Sequence, residues 1–177
     1  FTDEIQRMIP SRSYLWFLKY VVGFMNRDLP DHVIPEYKQE IYGVSLSASE
    51  RFNWIGSNYA RQLNYHAAHD IGHALANMML VGCSSFATWG DHSEEGQLIV
   101  GRNFDFYVGD AFARNKIVAF YAPSEGKKFI SVTWPGFTGV VSGMNESGLT
   151  VTINAAKSSI PFGAATPVSL VAREILQ

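Results

Sequence analysis

The chain has 177 residues, 47% of them hydrophobic and 17% charged, with a formal charge of −2. That length and composition describe a folded globule able to bury a sizeable core, not a disordered chain. The charge balance, with no Lys/Arg-rich stripe, argues against nucleic acid as a partner.

Before residue 82 the chain reads as helices, at 3–26, 35–43 and 49–80. Pro30 and Pro35 bracket the first linker, because proline and the residue before it disfavour helix continuation. Phe52, Ile55, Tyr59 and Leu63 recur at helical spacing in the third stretch. The longest apolar run, Tyr14 to Met25, contains Lys19 and is too short to span a bilayer, so no transmembrane segment is expected. The chain begins at Phe1 rather than Met, which leans the expected compartment toward exported or periplasmic.

After residue 82 the texture changes to short β runs separated by turn residues. Cys83–Trp89 and Leu98–Phe104 read as strands joined by the polar turn Asp91–Gly96. Ile117–Tyr121 and Phe129–Trp134 flank Pro123-Ser124-Glu125-Gly126. Val140–Met144 and Leu149–Asn154 flank Asn145-Glu146-Ser147-Gly148, where Gly148 can supply the positive φ of a hairpin turn. Thr166 and Pro167 read as the N-cap and first residue of a final helix. The fold class is therefore α+β, divided into a helical segment 1–82 and a strand-rich part 83–177.

Cys83 is the only cysteine, so it has no partner for an intrachain disulfide. It stands where helical sequence gives way to strands, a junction at which cleavage would turn its α-amine into its own base. Arg102 and Asp105 fall on the paired strand or just beyond it: the arginine can favour a thiolate and hold a carboxylate, the aspartate can orient an ammonium. Asn154 ends a later strand, where its amide can donate to a tetrahedral oxyanion. Taken singly each has a plainer explanation, as a core cysteine, a surface ion pair and a turn residue.

Together, Gly82-Cys83-Ser84-Ser85, Gly101-Arg102-Asn103-Phe104-Asp105-Phe106 and Gly143-Met144-Asn145-Glu146-Ser147-Gly148-Leu149 through Asn154 resemble the linear-amide C–N hydrolases. These N-terminal-nucleophile (Ntn) enzymes include penicillin acyl-coenzyme A acyltransferases (peptidase family C45), choloylglycine hydrolases and acid-ceramidase-like enzymes. The resemblance covers 83–177 well and extends more weakly through Ile34–Gly43 into the segment before the nucleophile. It implies an αββα sandwich formed by autocatalytic cleavage between Gly82 and Cys83. By the same matches Cys83 is the nucleophile, Arg102 the arginine of the first hairpin, Asp105 the carboxylate near the amine and Asn154 the oxyanion donor. Asn145 matches a turn asparagine with a structural role. A complete sandwich needs more strands and a second helical layer, so a carboxyl-terminal part of the protein is expected beyond Gln177.

The activity so implied is hydrolysis or transfer of the acyl group of a small-molecule linear amide, with no cofactor. Trp89, Phe104, Phe106, Tyr107, Trp134 and Phe137 cluster near the motifs and can line an apolar acyl pocket, or simply form core. A rival reading places zinc on His69 and His73, four apart on one helical face with Asp70 between them and His66 as a third ligand. A third is a binding protein that keeps the fold without catalysis.

Overall fold

The computed structural model describes residues 2–68, 70, 81–106, 109–154 and 165–177, and the account below concerns these. The amino-terminal part holds α1 (Thr2–Met8), α2 (Arg12–Met25), α3 (Pro35–Ser45) and α4 (Asn58–His66). The expected single helix over 3–26 is two, because Pro10 cannot donate to the helical ladder and Ser11 caps the restart, accepting from the Tyr14 N–H at 3.3 Å. The stretch 49–80 likewise begins as a short 3₁₀ turn at Glu50–Phe52, and α4 starts only where Ser57 accepts from Ala60 N–H. The remainder of that expected helix, 71–80, lies outside the described residues.

The strands are β1 (Val81–Thr88), β2 (Ile99–Phe106), β3 (Ile117–Tyr121), β4 (Phe129–Thr133), β5 (Ser142–Asn145) and β6 (Thr150–Thr152), with α5 (Asp110–Arg114) between β2 and β3 and α6 (Val168–Leu176) last. All pairings are antiparallel: β1 with β2 as one ribbon, and β3-β4-β5-β6 in order as a four-stranded sheet. All three expected hairpins form. In the third, Asn145 Oδ1 accepts from the N–H groups of Ser147 and Leu149, and Gly148 has φ +82°, as the turn requires. Pro167, which has no hydroxyl, occupies the N-cap position of α6 in place of Thr166, whose hydroxyl donates to His32 O. Asp70 supplies the missing cap from a distance, its carboxylate accepting from Val168 N–H.

The two parts of the chain share their core through α6. Leu170 packs with Leu29, Val33, Tyr37, Ile41 and Leu63 of the helical part, while Ala172 and Leu176 pack with Phe129, Val140 and Ile153 beside the four-stranded sheet. Inner-facing Phe129, Ser131 and Thr133 alternate with exposed Ile130 and Val132 along β4, the period-2 signature of a sheet covered on one face. Val118, Met144 and Phe120, the last at 81% exposure, stand on strands of the same sheet and leave apolar surface uncovered.

Two buried polar contacts fasten this junction. Arg173 on α6 is 1% exposed and pairs bidentately with Glu40 of α3, through Nη1 and, at 2.7 Å, through Nη2; it also donates to Thr138 O and lies over the Tyr37 ring. Burial works against its charge, but the hydrogen bonds and attraction of Glu40 outweigh that and hold the guanidinium above its ordinary value. His66, also 1% exposed, accepts from Thr138 N–H on Nε2 at 2.9 Å, so its proton is on Nδ1, which donates to Gln62 O at 2.8 Å. Burial pushes its pKa down to about 4, with the positive charge of Arg173 adding to the effect and Gln62 and Glu40 opposing it.

Glu40→Gln leaves Arg173 buried with no carboxylate. Removing one partner of a buried pair costs about 3–5 kcal/mol, and the partial exposure of Glu40 brings the expected loss nearer 2–3 kcal/mol, read as a lower urea midpoint. The histidine gives a pH signature. Its folded pKa of about 4 lies below the unfolded 6.5, so between these values the unfolded chain binds the extra proton and stability falls as pH falls. The contribution reaches about 3 kcal/mol below pH 4. Urea melts at pH 7 and pH 4.5 should differ less for His66→Gln than for the unaltered protein. An equal difference in the two proteins would show that His66 is not a buried neutral group.

Candidate active site

The first hairpin places the candidate residues by register. Cys83 pairs with Phe104, Ser85 with Arg102 and Gly82 with Asp105. Directly opposed residues share a face of a ribbon, and the face alternates along each strand. Cys83, Ser85, Arg102 and Phe104 therefore stand on one side and Asp105 on the other. The strand starts at Val81, so Cys83 does not open it: the ladder continues to Phe106 and carries the Gly82–Cys83 peptide inside β1.

Arg102 organises the side that holds the thiol. Nη2 lies 3.6 Å from Cys83 Sγ and also donates to Ile153 O, and Nη1 donates to Ser142 Oγ at 2.5 Å. The Phe104 ring packs 4.7 Å from the guanidinium carbon. Nε is buried without a partner among the described residues. Burial pulls the guanidinium below its ordinary value, and attraction and hydrogen bonding to Cys83, with Asp105 behind them, oppose it. The guanidinium thus links the ribbon to β5 and to the residue that follows β6, and directs one N–H at sulfur.

Asn154 follows β6 and is exposed, its Nδ2 3.4 Å from both Ser85 Oγ and Thr152 Oγ1. It thereby meets β1 two residues beyond Cys83. Asp105 is exposed and flanks Gly82, where a Cβ built on the glycine would lie 3.8 Å from Asp105 Cβ and 3.9 Å from Oδ2. Of the two strand-β2 residues expected near the cysteine, Arg102 touches the thiol and Asp105 pairs in the ladder with the residue before it. Asn145 sits away from these groups: buried, it donates from Nδ2 to Leu176 O at 3.0 Å while its oxygen holds the turn.

A cavity of about 290 Å³ lies beside this cluster, with Phe104, Phe112, Trp134, Phe137 and Val141 on its apolar side. Phe112 stacks on Trp134 with centroids 4.2 Å apart, and the Trp134 indole N–H donates to Phe112 O at 2.7 Å. Three aromatics expected in a pocket, Phe104, Trp134 and Phe137, line it. Trp89 does not: it is 63% exposed at the tip of the first hairpin, beyond reach of the sheet. Tyr107 and the Phe106 side chain lie outside the described residues. Phe112 was not singled out by sequence, because α5 is only five residues long and shows no periodicity.

The histidine cluster divides. His69 and His73 lie outside the described residues. His66 is not available as a third ligand, since each ring nitrogen already has its hydrogen-bond partner, and the Asp70 carboxylate is turned to α6. Among the described residues no group of three or more His, Cys, Asp or Glu side chains is placed to hold a metal ion. None of the described helices is long and apolar enough to cross a membrane.

A protein of Archaeoglobus fulgidus described only as uncharacterized is 24% identical over 157 residues, covering 82% of this chain and 26% of that protein. The chain thus spans about a quarter of the length of the curated relative it matches. The family model described as acyl-coenzyme A:6-aminopenicillanic acid acyl-transferase matches residues 92–177. That stretch begins after Cys83 and contains Arg102, Asp105, Asn145 and Asn154. Over those residues the chain is similar to this acyl-transferase family, within the Ntn superfamily to which its three motifs pointed.

Proposed function

We propose that this chain is the nucleophile-bearing part of an amidohydrolase or acyltransferase that acts on a linear amide through Cys83. The observation that carries the reading is the contact of Arg102 Nη2 with Cys83 Sγ at 3.6 Å, in a chain whose following residues match an acyl-transferase family. Cleavage between Gly82 and Cys83 frees the Cys83 α-amine, which takes the thiol proton as the sulfur attacks the amide carbonyl. Arg102 presents positive charge to the sulfur, and the Asn154 amide donates to the oxyanion. The tetrahedral adduct expels the amine, which leaves with the proton, and water or an acceptor amine then releases the acyl group from the thioester. Asp105 serves the amine, because it flanks Gly82 on the face opposite the thiol. The αββα sandwich belongs to the same reading. Val118, Phe120, Ile130 and Val132 form an apolar sheet surface of the kind a second layer covers.

The same sulfur can attack the Gly82 carbonyl in the precursor, forming a thioester that water opens. Intact mass and N-terminal sequencing of the purified protein should therefore give fragments ending at Gly82 and beginning at Cys83. Cys83→Ala should stay intact and inactive, and efficient cleavage of that variant would refute self-processing.

Asn154 is exposed and packs against little, so its loss should spare the fold. Asn154→Ala is expected to keep its melting temperature while losing about 10²–10³ in kcat on an amide substrate, the usual effect of removing one oxyanion donor. Full turnover in this variant would move the oxyanion hole to other donors.

A further inference from the structure

Arg61 is, with Arg173, one of two buried arginines among the described residues, and unlike Arg173 it has no carboxylate partner among them. It is 5% exposed on α4 and lines the 290 Å³ cavity. Nη2 donates to Ser49 O at 2.8 Å, to Asn58 Oδ1 and, at 3.4 Å, to Asn53 Oδ1, all neutral acceptors. Nε is buried and has no partner among the described residues. The one acidic side chain among the described residues of the cavity wall, Asp3, is already 3.1 Å from Arg51. A buried guanidinium without a counter-ion is costly, and buried charges in folded proteins are paired. The same lining carries the aromatic rings of Phe104, Phe112, Trp134 and Phe137. Phe104 in turn touches Arg102, the residue that meets the thiol, so the cavity and the cysteine adjoin through one ring.

We propose that this cavity holds the carboxylate-bearing end of the substrate: a small amphipathic monoanion, its carboxylate on Arg61 and its apolar body against Phe104, Phe112 and Trp134. One cation without a counter-ion matches one negative charge. The size, at the lower end of the roughly 300–1,000 Å³ of ligand pockets, suits an aryl-alkyl group rather than a long chain. The identification of the occupant as substrate rests on the acyl-transfer reading above, whereas the anion site rests on Arg61 and the cavity.

The test is calorimetric titration of the full chain carrying Cys83→Ala, which binds without turnover, with 3-phenylpropanoylglycine and with its neutral counterpart 3-phenylpropanoylglycinamide. The carboxylate is expected to bind at least tenfold more tightly, and Arg61→Gln in the same background to abolish the preference. The comparison of two probes on protein with Arg61 intact decides the matter even where Arg61→Gln fails to fold. Equal affinity for the two probes, no binding of either, or a preference that persists in folded Arg61→Gln overturns the site. Cleavage of the same amides by protein with Cys83 is assayed separately. A carboxylate preference without cleavage leaves the anion site and removes the acyl-transfer reading, and cleavage without the preference does the reverse.

Discussion

The arrangement depends on one ion pair, between the buried Arg173 and the partly exposed Glu40. An arginine at 1% exposure is costly unless a carboxylate is fixed against it, and that carboxylate lies on a helix more than a hundred residues earlier in the chain. The pair locks α6 onto α3 at a single register, and a second contact from Arg173 holds the Thr138 carbonyl. Thr138 is held from the other side by His66, whose ring also stacks on Phe137 at 4.8 Å. The segment from Trp134 to Thr138, which brings Trp134 and Phe137 to the cavity wall, is thus fastened to both α4 and α6.

From α6 the constraint reaches the thiol through polar contacts. Leu176 O receives Asn145, and Asn145 sets the turn that brings β6 beside β5. Ser142 on β5 and Ile153 just after β6 then supply the two oxygens that hold Arg102. A two-stranded ribbon is marginal by itself, and the outer residues of β1–β2, among them Phe86 and Val100, are exposed. Arg102 and the Phe104 ring, which packs near Trp134, join the Asn154 contact with Ser85 in tying the thiol-bearing end of this ribbon to the rest. The arginine therefore has a positional task besides its charge. A lysine there, with a single ammonium on a flexible stem, could not meet Ser142, Ile153 and Cys83 in one plane.

What the sequence disclosed follows from how local each signal is. The three hairpins were legible because turn residues and alternation lie within a dozen positions, and Gly148 does have the positive φ its place demanded. The break at Pro10 is just as local, but the apolar run beyond it dominates the helical pattern and masks it. Arg102 could be matched to Cys83 from strand pairing alone, since a hairpin register fixes who faces whom. By contrast, nothing near Arg61, Glu40 or Thr138 in sequence marks them, because their roles arise from partners 35 to 133 residues away or from a cavity wall built by several elements. His66 shows the converse hazard. Its spacing from His69 and His73 imitates a ligand set, yet packing had already assigned both ring nitrogens.

The same register sets where the proposed chemistry would find its two charges. In a strand, Cys83 sends its side chain to one face while the peptide that precedes it runs along the edge beside Gly82, which has no side chain to fill the other face. Arg102 and Asp105, three apart on β2, therefore fall on opposite sides, the cation against the sulfur and the carboxylate against Gly82. Had the two been an even number apart, they would have shared a face and neutralised each other. In the proposed chemistry the separation keeps positive charge beside the nucleophilic sulfur and negative charge beside the group that becomes an ammonium. Under that proposal the odd spacing of the Arg-Asn-Phe-Asp motif is what lets one strand address the sulfur on one face and the amine on the other.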